Sequence, residues 1–234
     1  KPENTAASGG PARVRSGGDL AELNSFEALR TRRFYFLWAM LFINITCGIA
    51  VIATAAPMSQ EIAGLTPAAA ATMVGLMGLF NGLGRIGWSS VSDYFGRSQT
   101  FALFFVLQMA AFLVLPRCSS PFAFQAAAFL IISCYGGGFA LMPAFIADLF
   151  GVKQLSAILG KLLTAWAAAG LVGPLIAAWV REATGSYMQT LQVFAGLFLL
   201  ALLLVGLLQL DIRKVRLQSR PEVAGAMPEG APTA

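Results

Sequence analysis

Long apolar runs separated by short polar clusters fill this chain from residue 34 to residue 211. Six of them reach, or nearly reach, the roughly 20 helical residues needed to cross a hydrocarbon core of about 30 Å. They run from Phe34 to Pro57, Pro67 to Ser92, Gln99 to Pro116, Pro121 to Ala147, Ser156 to Val180 and Met188 to Leu210. Thr66-Pro67 and Ser120-Pro121 each place a capping hydroxyl before a proline at the first helical position. The runs are apolar throughout, whereas membrane strands alternate polar and apolar residues, so the pattern excludes a barrel. It predicts an all-α bundle of six membrane-spanning helices over residues 34–211.

The flanks have a different texture. Residues 1–33 are rich in Gly, Ser, Ala, Pro and charge with no apolar period, and they read as a disordered linker. Residues 212–234 carry Pro221, Gly225, Pro228, Gly230 and Pro232, which predicts a disordered tail. The chain begins at Lys1 with no signal-peptide pattern ahead of the first run, so it is expected to be a piece of something longer.

Composition agrees with the pattern. The chain is 57% hydrophobic and 12% charged, against about a quarter charged in a typical soluble domain. The net charge of +5 does not point to nucleic acid, because the basic residues gather at the ends of apolar runs. Arg30, Arg32, Arg33, Arg97, Lys153, Arg213, Lys214 and Arg216 fall on the side of the termini, and only Arg117 and Arg181 on the other. The positive-inside rule then makes this an integral, multi-pass protein of the lipid bilayer with both termini cytoplasmic. The second helix runs outside to inside, and the fifth inside to outside.

Enzyme chemistry finds little to work with. There is no histidine, and Cys47 and Cys134 lie inside apolar runs while Cys118 lies in a turn. No metal site, cofactor site, disulfide framework or nucleophile–base pair follows from that set.

The exception to the apolar pattern is Arg85, within the glycine-rich stretch GLFNGLGRIGW. A centrally placed arginine costs at least about 2.5–3.5 kcal/mol on insertion scales. Its position predicts a depth of about 10 Å from the Ser92 end at 1.5 Å per residue. Helical side chains lean toward the helix N-terminus, so Arg85 leans to the midplane rather than snorkelling to the near surface. Asn81, Gly78 and Gly82 share its face, where the glycines, with Gly75, also suit a helix-packing strip. Glu61, Asp93, Asp148, Glu182 and Asp211 all lie at helix ends or in loops, so an anion from solution is the expected counter-ion. Lys161, one turn inside the fifth helix, leans the other way and is expected to snorkel. In the turn SDYFGR, Gly96 permits a reversal, Asp93 can meet a helix N-terminus and Arg97 can pair with a carboxylate, which together would form a latch.

SSVSDYFGR resembles the G-x-x-x-D-x-x-G-R loop of the major facilitator superfamily, in the copy between the eighth and ninth helices, with Ser89 in place of the first glycine. Together with FNGLGR, YGGGFALMPAFIADLFG and LTAWAAAGLVGP, it resembles the oxalate/formate antiporter family over about Arg30 to Arg213. The resemblance implies the C-terminal half of a twelve-helix carrier of small carboxylates, whose N-terminal six-helix half is missing here. It places Arg85 on the arginine that receives the substrate carboxylate and Tyr135 on a cavity-lining aromatic. Asn81 and Trp166 would shape the pocket, and Asp93, Gly96 and Arg97 would gate the cytoplasmic side. Trp166 stands where oxalate exchangers of this type carry a lysine, which points away from a dianion and toward formate, lactate or a similar monocarboxylate. The alternatives are a monocarboxylate transporter-like or other organic-anion carrier of the superfamily, or, from a different class, a non-transporting membrane scaffold or receptor.

Overall fold

The computed structural model describes residues 22–218, and every regular element among them is helical. A short helix α1 (Ser25–Leu29) precedes α2 (Arg32–Ala63), α3 (Pro67–Phe95) and α4 (Arg97–Val114). A single 3₁₀ turn, Leu115–Arg117, leads to α5 (Pro121–Phe150); then come α6 (Leu155–Leu162), α7 (Thr164–Thr184) and α8 (Tyr187–Gln218). Six helical stretches are long and apolar enough to cross a membrane, with α6 and α7 together forming the fifth.

The helices are longer than the apolar runs. α2 continues through Pro57 to Ala63 and stops at Gly64, whose φ of 65° is the left-handed cap that glycine adopts without strain. The Thr66 hydroxyl caps α3 by accepting from the Ala69 N–H at 3.3 Å. Ser120 does not reproduce this: Pro121 begins α5 as expected, but the serine side chain makes no capping bond. The fifth run divides at Leu163, where α6 gives way to α7.

A further departure lies at the start. Sequence texture predicts no regular structure before residue 34, yet Asn24 and Glu27 form a reciprocal capping box that nucleates α1. This helix is tied down by four hydrogen bonds: Leu23 N–H to the Phe150 carbonyl at 3.0 Å, Ser25 N–H to Gln154 Oε1 at 2.7 Å, and Lys161 Nζ to Ser25 Oγ at 3.1 Å and to the Ser25 carbonyl at 3.2 Å. Lys161 thus does reach toward the basic end of the bundle, where Phe26 receives its ammonium 3.9 Å from the ring centroid. The expected tail is likewise helical at its start, since α8 runs on to Gln218 rather than ending at residue 211. Residues 1–21 and 219–234, the greater part of the expected linker and tail, lie outside the described residues.

α2 and α5 are the most buried spans, and α3 and α7 the least. α3 packs chiefly on α5, α7 on α2, and α4 bridges α5 and α8. Phe101, Phe104, Phe105, Phe112 and Phe198 are fully buried between α4, α5 and α8, where their rings meet stacked, tilted or edge to face. At mid-bundle, the fully buried Gln108 donates to Asn44 Oδ1 at 2.9 Å, a polar link between α4 and α2 of the kind lipid-embedded helices use.

The helix crossings explain which glycines matter. Gly84 on α3 lies against the Ser133 carbonyl of α5, and Gly136 against the Asn81 carbonyl, so a methyl at either would overlap backbone. Gly173 of α7 meets the Thr46 carbonyl of α2 in the same way. The expected strip of Gly75, Gly78 and Gly82 is not where this packing occurs: a methyl at any of them meets no described atom within 4 Å. The α3–α5 contact is made two residues on, nearly on the opposite face, through Gly84, because that face is the one turned to Ser133.

Candidate functional site

Arg85 projects from the exposed face of α3, with Gly78, Gly82 and Ile86 also open around it. α3 extends to Phe95, so Arg85 lies about 15 Å along the helix from that end at 1.5 Å per residue, of which the last turn lies beyond the apolar run. Among the described residues it has no ion pair. Its guanidinium sits over the Phe139 ring of α5, 5.3 Å from the centroid. A ring face stabilises the charge by roughly 0.5–2 kcal/mol without consuming the N–H donors of the guanidinium. The fork of Arg85 is therefore held but still able to accept a planar anion.

The other expected site residues lie on α3, α5 and α7, and no side-chain contact joins them to Arg85 among the described residues. Asn81, one turn before it, turns its Oδ1 toward Gly136 of α5, where the oxygen is buried without a hydrogen-bond donor. Trp88, almost one turn after, donates from Nε1 to Ser133 Oγ at 3.2 Å and packs on Gly137. Tyr135 is buried, with its ring against Gly48 of α2. Trp166 lies on α7, on the other flank of α2, about half exposed. It sits about 16 Å from the start of the α6–α7 span, close to the depth of Arg85. No hydrogen bond, ion pair or ring contact joins Trp166 to Arg85 among the described residues. Phe139 is the contact that sequence reasoning missed; it lies one turn beyond Tyr135, and one more phenylalanine in an apolar run carries no signal of its own.

At the basic end, Gly96 takes φ 86°, a left-handed value that favours glycine, and turns α3 directly into α4. Arg97 then meets Asp93 at 2.6 Å and Asp148 of α5 at 3.6 Å, and donates to the Ser92 hydroxyl. Asp93 thus pairs with Arg97 rather than capping a neighbouring helix, and the two acids join α3, α4 and α5 through one guanidinium. A methyl at Gly96 would also crowd the Gln99 side chain.

Comparison with known proteins places the chain in a family. The family model described as Major Facilitator Superfamily matches residues 13–231, nearly the whole chain. The chain belongs to the major facilitator superfamily. It is therefore an integral, multi-pass membrane protein of a transporter family, and its six spanning helices are those of half a carrier. Among curated proteins, the oxalate:formate antiporter of Oxalobacter formigenes is 30% identical over 154 residues, which cover 65% of this chain. The same alignment covers 37% of that relative, so this superfamily chain spans well under half of its length.

Proposed function

We propose that this chain is the C-terminal half of a secondary carrier that moves a small carboxylate by alternating access, with Arg85 as the carboxylate receptor. The observation that carries the reading is the exposed mid-depth guanidinium, seated on Phe139 and without an acid partner among the described residues. The similarity to an oxalate:formate antiporter supports a small organic anion as cargo. Trp166, which offers an apolar wall and one indole donor instead of a second cation, favours formate, lactate or a similar monocarboxylate over oxalate. Asn81 and Tyr135 complete the wall on this side; an N-terminal six-helix half would supply the other.

In this reading both termini are cytoplasmic, residues 1–33 belong to a central linker, and 212–234 form a tail. The Asp93–Gly96–Arg97 turn is the cytoplasmic gate. Its ion pairs to Asp93 and Asp148 hold α3, α4 and α5 together in one state, and the halves rock about the midplane site as they break. Transport makes and breaks no covalent bond, so no catalytic group or cofactor is required.

The test is counterflow in liposomes by the intact carrier. Arg85→Lys keeps the charge and loses the bidentate fork, so transport should fall by about tenfold or more while insertion is retained. Transport at the wild-type rate in Arg85→Ala would overturn the assignment.

A further inference from the structure

We propose that the basic end of the bundle holds one anionic phospholipid, seated where α4, α5 and α8 meet. Two adjoining features build the site. The first is a cavity of about 280 Å³ lined by Arg97, Ser98, Gln99, Asp148, Arg213 and Arg216, among others. Three guanidiniums and one carboxylate line it, and with Asp93, which also pairs with Arg97, the basic groups outnumber the acids three to two. Arg97 already pairs with Asp148 in the wall and with Asp93 of α3. The α8 arginines, one turn apart on one helical face, bring the additional charge.

The start of α4 adds donors. This 18-residue helix begins at Arg97 with no side-chain capping bond, so its first-turn N–H groups are left to an external acceptor. Ser98, in that turn, has a buried hydroxyl with no hydrogen-bond partner. Uncapped amides at the positive end of a helix, together with arginine forks, are complementary to a phosphate group.

The second feature says what the phosphate is attached to. An apolar groove of about 550 Å³ runs along α8 past Leu202, Leu203, Leu207 and Leu210, and shares Gln209 and Arg213 with the cavity. Gly206 opens a notch in it, since a methyl there would touch no described atom. A cationic cavity that passes at Arg213 into an apolar groove matches an amphiphile: phosphate in the cavity, acyl chain along α8. Free phosphate would use only the cavity, and a neutral lipid only the groove. With the termini cytoplasmic, this site faces the leaflet where anionic lipids are enriched. It lies apart from Arg85 and does not depend on what the carrier transports.

Native mass spectrometry of the delipidated, intact carrier tests this with dioleoylphosphatidylglycerol against dioleoylphosphatidylcholine. One phosphatidylglycerol per chain should be retained in preference, by about tenfold, as expected for one or two charge-assisted contacts. Arg213→Gln with Arg216→Gln should erase that preference. Arg213→Lys with Arg216→Lys preserves the charges that orient the helices and should keep part of it. Gly206→Trp fills the groove and should weaken phosphatidylglycerol binding with the arginines intact. Equal retention of the two lipids by the wild type would overturn the proposal, as would an unchanged preference in the double glutamine variant. Displacement of phosphatidylglycerol by excess inorganic phosphate would make this a soluble-anion pocket and overturn the lipid assignment.

Discussion

Arg181, in the last turn of α7, holds Glu61 of α2 at 2.7 Å and lies over the Tyr187 ring that opens α8, 4.5 Å from its centroid. Three helices are thus tied at the end of the bundle opposite the basic one. Both partners are about one-third exposed, which limits the pair to the surface range of about 0.2–1 kcal/mol. A double-mutant cycle of Glu61→Gln and Arg181→Gln, read by thermal unfolding of the purified carrier, should return a coupling in that range. A coupling near zero would leave the ring contact with Tyr187 as the tie.

The α3–α5 crossing should be the least tolerant part of the fold. Gly84→Ala places a methyl on the Ser133 carbonyl and should destabilise by about 1–3 kcal/mol, the usual cost of overpacking. Gly78→Ala and Gly82→Ala enter open space and should leave stability within about 0.5 kcal/mol of wild type. Thermal unfolding separates the two cases. Transport is the second readout, since a bulky residue at position 82 would stand beside Arg85.

That contrast marks how far the sequence could be read. Six spans were legible because lipid demands unbroken apolar length, and Arg85 was legible because lipid makes charge costly. Which glycine makes the crossing was not: Gly82 and Gly84 look alike until Ser133 on a distant segment is in place. α1 had a local signal, the Asn24-to-Glu27 spacing of a capping box, masked by the polar texture around it. Helix ends extended past the apolar runs because backbone hydrogen bonding does not stop at the membrane surface. Phe139 and the buried Asn44–Gln108 link needed tertiary contacts to be recognised.

Asp93→Asn weakens one of the two carboxylate contacts of Arg97 and leaves Asp148. The expected result is a shift toward the state in which the basic end is open, with little change in substrate affinity per state. Spin-label distances across that end should show the altered populations. Unchanged distances would make the turn a fixed connection.

Trp166→Lys supplies the second cation that oxalate exchange implies. It should raise oxalate binding relative to lactate or formate by roughly ten- to a hundredfold, the worth of a charge-assisted contact of about 1.5–3 kcal/mol. Competition against a labelled monocarboxylate in liposomes measures this. No gain for oxalate would place Trp166 outside the pocket.

The tight seating of α3 on α5 has one more consequence. Gly84 against Ser133 and Gly136 against Asn81 leave no slack for the two helices to slide, so Arg85 and Phe139 travel as one block. In a carrier that works by rocking, the cation and its aromatic bed then look the same to cargo from either compartment. On the proposed rocking mechanism, a difference in affinity between the two openings would then come from parts outside this block, such as α7 or the facing half, rather than from Arg85.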